Sequence, residues 1–188
     1  MTNSDHIKLV ESGPIKFPEW RKQNPKIRLE LEGEVLNKLF LTECNLTPAN
    51  LYATWIGYSH FNRVRMVNID FQGGQLYASS LFNCNLSKVR MAYSVLCWSL
   101  LRNCNLNGTD FTDSRFDFMA IVGCDLSKCV GLNTVRHESS TGIDLDTLTK
   151  SYVGAGECFT QELRVFFMNA GVNELFLDLV PQIFAKTR

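Results

Sequence analysis

The residues best suited to chemistry fall late in the chain. His137 is followed by Glu138, Ser139 and Ser140, and Cys158 lies further on. An imidazole beside a hydroxyl or thiol could act as general base to a nucleophile, provided the fold brings them within hydrogen-bond reach. A loop anchored by its own polar side chains is the plainer reading. Asp110, Asp113 and Asp117 are the nearest approach to a cation site, although ordinary solvated turns explain them as well. Cys124 and Cys129 could hold a soft metal only if both thiols converged. Gly73-Gly74 lacks the lysine and helix start of a phosphate loop. His60 directly precedes Phe61, and His6 lies in a polar leader. No catalytic, cofactor-binding or metal-ligating set is therefore expected, and no small-molecule substrate. The chain reads as a non-enzyme.

What would position these residues is set by one periodicity. A large apolar residue recurs at every fifth position from Leu31 through Leu36, Leu41 and Leu46 to Phe116, Ile121 and Leu126, twenty beats in all. A helix repeats its face every 3.6 residues and a strand every 2, so neither accounts for a period of five. Two residues before each beat stands a smaller one, such as Cys44, Ser59, Ser79, Cys84, Ser99, Cys104, Thr109 or Cys124. Each unit thus sends one large and one small side chain inward and then turns a corner. Asn45, Asn50, Asn85, Asn105, Asp110 and Asp125 suit such corners, because a short polar side chain can bond backbone groups locally.

A longer period lies on top. Asn-Cys-Asn-Leu occurs at 83–86 and again at 103–106, with Gly123-Cys124-Asp125-Leu126 one interval later and Glu43-Cys44-Asn45-Leu46 two intervals earlier. Four units of five make a square coil that returns to the same side every twenty residues, and residues 29–130 make about five coils. The runs Cys44-Asn45-Leu46, Ala49-Asn50-Leu51, Cys84-Asn85-Leu86, Cys104-Asn105-Leu106, Thr109-Asp110-Phe111 and Cys124-Asp125-Leu126 resemble the motif of pentapeptide repeat proteins. That resemblance implies an all-β solenoid, a right-handed quadrilateral β-helix. This copy is degenerate: Cys, Ser and Thr largely replace Ala, while Arg65, Val95, Leu100, Arg115 and Ala120 replace Asn or Asp.

Stacked coils leave unpaired backbone at both ends, so caps are expected in residues 1–28 and 131–188. Pro18 to Pro25 reads as a short helix with Trp20 over the first coil, and residues before about Val10 as loose. Trp20-Arg21-x-x-Asn24-Pro25 is similar to the leader of one bacterial subgroup of the family, and Gly142 to Leu148 with Phe167 to Val172 to its helical tail. The beat ends at Gly131. Helices are expected at Asp144–Lys150, at Glu157–Ala170 and after Asn173, the last carrying Leu175, Phe176, Leu179 and Val180 and bending near Pro181.

Sorting side chains by side gives one face that is apolar outside. Trp55, Tyr58, Tyr77, Trp98 and Phe118 share it, with Arg115 and Arg102 at its rim. Three arrangements would account for it: the C-terminal helices lie on it, a protein partner or second copy docks there, or the rings merely stack between coils. The expected function is a protein–protein interaction or scaffold module, using this face or the C-terminal helices, with homodimerisation one form of it. The alternative comes from the resemblance: acidic family members mimic DNA and protect a type II topoisomerase. From Leu31 to Val130, however, eight acidic residues balance eight basic ones, so the strong field such mimicry uses is missing. The basic residues fall on several sides, so no direct nucleic-acid binding is expected. No run of 18 apolar residues suggests a membrane span. The seven cysteines, five of them in the small inward register, point to free thiols in a reducing, cytoplasmic compartment.

Overall fold

A computed structural model of the chain describes residues 3–186, with side chains through residue 183. Two helices come first, α1 (Asn3–Glu11) and α2 (Gly13–Gln23). Twelve short strands follow: β1 (Leu29–Glu30), β2 (Val35–Asn37), β3 (Phe40–Thr42), β4 (Ala49–Asn50), β5 (Trp55–Gly57), β6 (His60–Asn62), β7 (Gln75–Tyr77), β8 (Ser80–Phe82), β9 (Val95–Cys97), β10 (Leu100–Arg102), β11 (Arg115–Asp117) and β12 (Ala120–Val122). After a single 3-10 turn come β13 (Arg136–His137) and β14 (Gly142–Ile143), then α3 (Leu145–Gly154), α4 (Gln161–Asn169) and α5 (Glu174–Lys186).

The strands pair in parallel at a separation of twenty residues: Trp55 with Gln75, Gln75 with Val95, Val95 with Arg115. Two six-stranded sheets result, β2-β5-β7-β9-β11-β13 and β3-β6-β8-β10-β12-β14, on adjoining sides of a four-sided β-solenoid. The other two sides are held by isolated bridges such as Asn45 to Arg65 and Asn85 to Asn105. The period-five residues, Leu86, Leu96, Leu101, Phe111 and Phe116 among them, fill the lumen and are buried. The asparagine and aspartate corners behave as their chemistry requires. Asn45, Asn85, Asn105 and Asp125 each accept the N–H two residues on. The small inward residues form hydroxyl ladders, Leu39 N–H donating to Ser59 Oγ, Ser59 N–H to Ser79 Oγ and Ser79 N–H to Ser99 Oγ.

The coils do not stop at Gly131. Arg136 and His137 pair with Arg115 and Phe116, and Gly142 and Ile143 with Ala120 and Ile121. The offset slips from twenty to twenty-one and then twenty-two residues, so a sixth, partial coil escapes a strict five-residue count. Leu132 and Val135 are its core residues, and His137 takes the position beneath Phe116 that leucine, isoleucine or phenylalanine fills elsewhere.

Both ends are closed. The leader is not loose: α1 is helical, and it buries His6 and Val10, with His6 Nδ1 accepting the Glu30 N–H at 3.0 Å. Phe17 of α2 is fully buried. At the far end Phe166 and Phe167 of α4 plug the lumen. The open backbone edge of the last coil is met by side chains of α3: Gly123 N–H donates to Asp144 Oδ1, Cys124 N–H to Thr147 Oγ1 and Leu126 N–H to Ser151 Oγ. Spacing of three and four residues keeps these acceptors on one face of the helix. In α5 the inward residues are Leu177 and Val180, whereas Leu175, Phe176 and Leu179 are exposed. The helix runs on past Pro181.

Candidate functional site

Between β5 and β6, and between every equivalent pair above them, the chain turns from one sheet to the other. The turning residue is left-handed in each coil: Lys38 (φ 57°), Tyr58 (51°), Ala78 (46°), Trp98 (53°) and Phe118 (46°). Glycine and asparagine enter this region readily; a bulky side chain crowds the following carbonyl and is uncommon there. Three of the five are large aromatics, and each is more than half exposed or close to it: Tyr58 59%, Trp98 56%, Phe118 50%.

Trp98 and Phe118 stack with ring centroids 4.4 Å apart, and Tyr58 meets Tyr77 edge-on at 5.4 Å. Trp55 stands outward on β5 in the same coil as Tyr58 and is partly exposed. The Tyr58 phenol beside it raises the Tyr77 hydroxyl above its ordinary value, by charge interaction first and hydrogen bonding second. The rings therefore form two clusters, Trp55-Tyr58-Tyr77 and Trp98-Phe118, with Ala78 marking the step between them. Arg115 continues the Trp55 column on the same sheet, while Arg102 belongs to β10 on the adjoining sheet. Both arginines are exposed, and among the described residues their side chains make no hydrogen bond or ion pair.

The C-terminal helices do not cover this face; α3 seats on β12, α4 on the 3-10 turn, and both pack against α5. Stacking between coils does occur, but it leaves about half of each corner ring in water. Spacing alone missed further rings. Phe40 is exposed and stacks on His60 at 5.0 Å, which in turn meets Phe82 at 5.2 Å. Tyr93 stands exposed in the left-handed corner column at the other edge of the first sheet. Sorting every residue by its remainder at period twenty would have found both.

The candidates for chemistry are dispersed. His137 Nδ1 pairs with Thr141 Oγ1 at 2.8 Å, and its ring packs against Phe116 and Phe166. Ser139 donates instead to Asp117, and Cys158 to the Ala155 carbonyl. Asp110 accepts from Thr112 in its own turn, apart from Asp117. Among the described residues no group of three His, Cys, Asp or Glu side chains is placed to hold a metal ion. Among the inward thiols, burial first pushes Cys44 up to about 12 and raises Cys129; the bond to the Cys124 thiol, ahead of that to Cys84, raises Cys104, and the same bonds lower Cys84 and Cys124.

A four-sided parallel β-solenoid closed by helices defines the class. Residues 55–130 match the family described as a pentapeptide repeat region. No curated protein matches the chain. Among solved structures, the pentapeptide repeat protein Rfr23 of the cyanobacterium Cyanothece 51142 is 14% identical over 68% of this chain and 97% of its own, at a TM-score of 0.45. HetL of the cyanobacterium Nostoc, involved in heterocyst differentiation regulation, is 17% identical over 58% of this chain and 61% of its own, at 0.22. Full-length QnrB1, a plasmid-mediated fluoroquinolone resistance protein, is 9% identical over 69% of this chain and 94% of its own, at 0.31.

Proposed function

We propose that the chain is a non-enzymatic protein-docking module that binds a protein partner, or a second copy of itself, through the aromatic corner. The observation that supports this is the left-handed backbone at Tyr58, Trp98 and Phe118, positions where a large ring is costly and is nonetheless left in water. Strain of this kind is retained where a side chain is needed in one place, and aromatic anchors flanked by arginine are the usual centre of a protein contact. In this reading residues 29–130 present the surface, and residues 1–28 and 131–188 serve as its end caps. The leader and tail similar to those of a bacterial subgroup, and the free thiols, suit a bacterial cytoplasm.

The test is the double substitution Trp98→Asn with Phe118→Asn. Asparagine accepts the left-handed corner, so the rod should stay folded while sedimentation mass or partner capture changes. Loss of a hot-spot pair should weaken association by more than ~2 kcal/mol. Unchanged mass and unchanged capture would dispose of the docking surface.

Topoisomerase protection, the alternative that the family resemblance implies, is the second reading. The exposed Leu175, Phe176 and Leu179 of α5 favour it, since they lie at one end of the rod, where two rods could join. Charge opposes it. The outward columns alternate in sign, as Glu43 with Arg63 and Asp70 with Arg90 do in the salt bridges between successive coils, and give no continuous acidic strip. Rescue of gyrase supercoiling from a quinolone would decide for this reading; no rescue over a wide concentration range would decide against it.

A further inference from the structure

The aromatic corner is periodic, and its period suits one kind of partner. Its left-handed residues run Lys38, Tyr58, Ala78, Trp98 and Phe118 along the rod, tied by bonds such as Ala78 N–H to the Cys97 carbonyl at 2.9 Å. Successive coils lie ~4.8 Å apart, and the Trp98 and Phe118 rings keep that step with centroids at 4.4 Å. Ala78 interrupts the column. Tyr58 and Trp98 therefore flank a notch two coils tall, roughly 9.6 Å, with Tyr77 beside it turned edge-on to Tyr58. Ala78 and Tyr77 are partly exposed and the flanking rings more than half so, which leaves the notch open to solvent.

A polyproline II helix rises ~3.1 Å per residue and repeats every three residues, about 9.3 Å per turn. One turn thus spans the step from Tyr58 to Trp98, and aromatic-lined surfaces are what hold such helices. The carbonyls of a polyproline II helix have no internal partner and look outward for donors. The Trp98 indole N–H and the Arg115 guanidinium are bonded to nothing among the described residues. Charge agrees. In β2, β5, β7, β9 and β11 and the corner residue after each, the charged residues are Lys38, Arg115 and Asp117. Asp117 is engaged by the Ser139 hydroxyl at 2.6 Å and the Cys97 thiol at 3.4 Å. Lys38 and Arg115 are exposed and unpaired, in coils at the two ends of the ring column. Those coils are roughly 19 Å apart, the length of about six residues of polyproline II. The five prolines of the sequence, Pro14 and Pro18 being the closest pair, make no such run, so the segment belongs to a different protein.

We propose that the corner binds a proline-rich segment of another protein, held as a polyproline II helix along the rod with an acidic residue at each end. A proline ring enters the notch against the face of Trp98 turned away from Phe118, and Lys38 and Arg115 meet the two carboxylates. This inference rests on the docking reading above and names its partner.

Isothermal titration calorimetry of the full chain tests it with two blocked peptides, each with an aspartate at both ends. One encloses six prolines, the other three Gly-Ser pairs. The proline peptide should bind saturably, and the Gly-Ser peptide at least tenfold more weakly. Ala78→Tyr fills the notch with a residue that the corner accepts at Tyr58, and Trp98→Asn removes one wall; either should abolish binding. Arg115→Gln should weaken it several-fold, and Tyr93→Asn, at the other edge of the sheet, should leave it unchanged. No saturable binding of the proline peptide, equal binding of the two peptides, or binding that survives Ala78→Tyr or Trp98→Asn overturns the proposal. If it falls while Trp98→Asn with Phe118→Asn still alters sedimentation mass or partner capture, the docking surface stands and only the class of partner is wrong.

Discussion

Acid should loosen the C-terminal cap, and His137 is where it would act. The ring stands in the lumen position beneath Phe116, and Phe166 of α4 closes over it with centroids 5.0 Å apart. Nδ1 is bonded to Thr141, while Nε2 is buried with no partner. A proton there would place a charge among phenylalanines, and desolvation accordingly lowers its pKa to about 4. In the unfolded chain the group titrates near its ordinary value of about 6.5. Because the folded value is the lower one, stability is intact above about pH 6.5 and is lost as pH falls from there through 4. A shift of that size corresponds to at most ~3 kcal/mol. The ring is only partly buried, and solvent screening reduces the expected loss to about 1–2 kcal/mol. Urea unfolding of the wild type and of His137→Leu, repeated between pH 8 and pH 4.5, isolates the effect from the carboxylates and His6. Leucine belongs at this register, so the variant should fold. The wild type should lose about 1–2 kcal/mol more than the variant on acidification; parallel curves would refute the reasoning.

Gly131 has φ 74°, and a Cβ there would meet the Thr112 backbone nitrogen at 2.6 Å. Gly131→Ala should therefore destabilise by about 2–4 kcal/mol, read by chemical denaturation. Removing Thr147 Oγ1 and Ser151 Oγ together strands two buried N–H groups; the double alanine variant should lose about 2–4 kcal/mol and speed hydrogen exchange at Cys124 and Leu126. Trp98→Asn should change stability by less than about 1 kcal/mol, because relief of the left-handed crowding offsets the lost stack on Phe118. A larger loss in thermal melts would make the ring a structural ladder instead.

Whatever repeated without a slip was legible in the sequence. Twenty beats from Leu31 to Leu126 define the lumen, and the twenty-residue columns put Tyr58, Trp98 and Phe118 at one corner. The sixth coil was hidden because insertions of one and two residues move Leu132, His137 and Ile143 off the beat while leaving their strand pairing intact. In α5 the phase was unreadable, since Leu175, Phe176, Leu177, Leu179 and Val180 are apolar on nearly every side and only contact with the plug decides which face turns in. α1 is largely polar, and its burial of His6 and Val10 depends on a coil edge that lies far along the chain. Arg21 meets two rings and two carbonyls that lie within six residues along the chain, but its burial depends on the docking of α2 against β3.

The corner column has one feature that tube-building does not explain. A solenoid of this kind needs side chains inside to fill it and backbone bonds between coils to stack it, and both demands are met without Tyr58, Trp98 or Phe118. The corner at the far edge of the second sheet has Glu43, Arg63, Asn83, Asn103 and Gly123 in the same left-handed conformation, residues that suit solvent and, in three cases, suit the backbone as well. If the rings were there only to tie coils together, they would be expected on the flat sides, where extended backbone holds them without strain and neighbours stand directly above one another. The two flat columns of the first sheet instead carry Val35, Trp55, Gln75, Val95 and Arg115, and Asn37, Gly57, Tyr77, Cys97 and Asp117, with one ring in each. Exposed aromatic surface is thus concentrated at this corner, as the proposed docking contact requires.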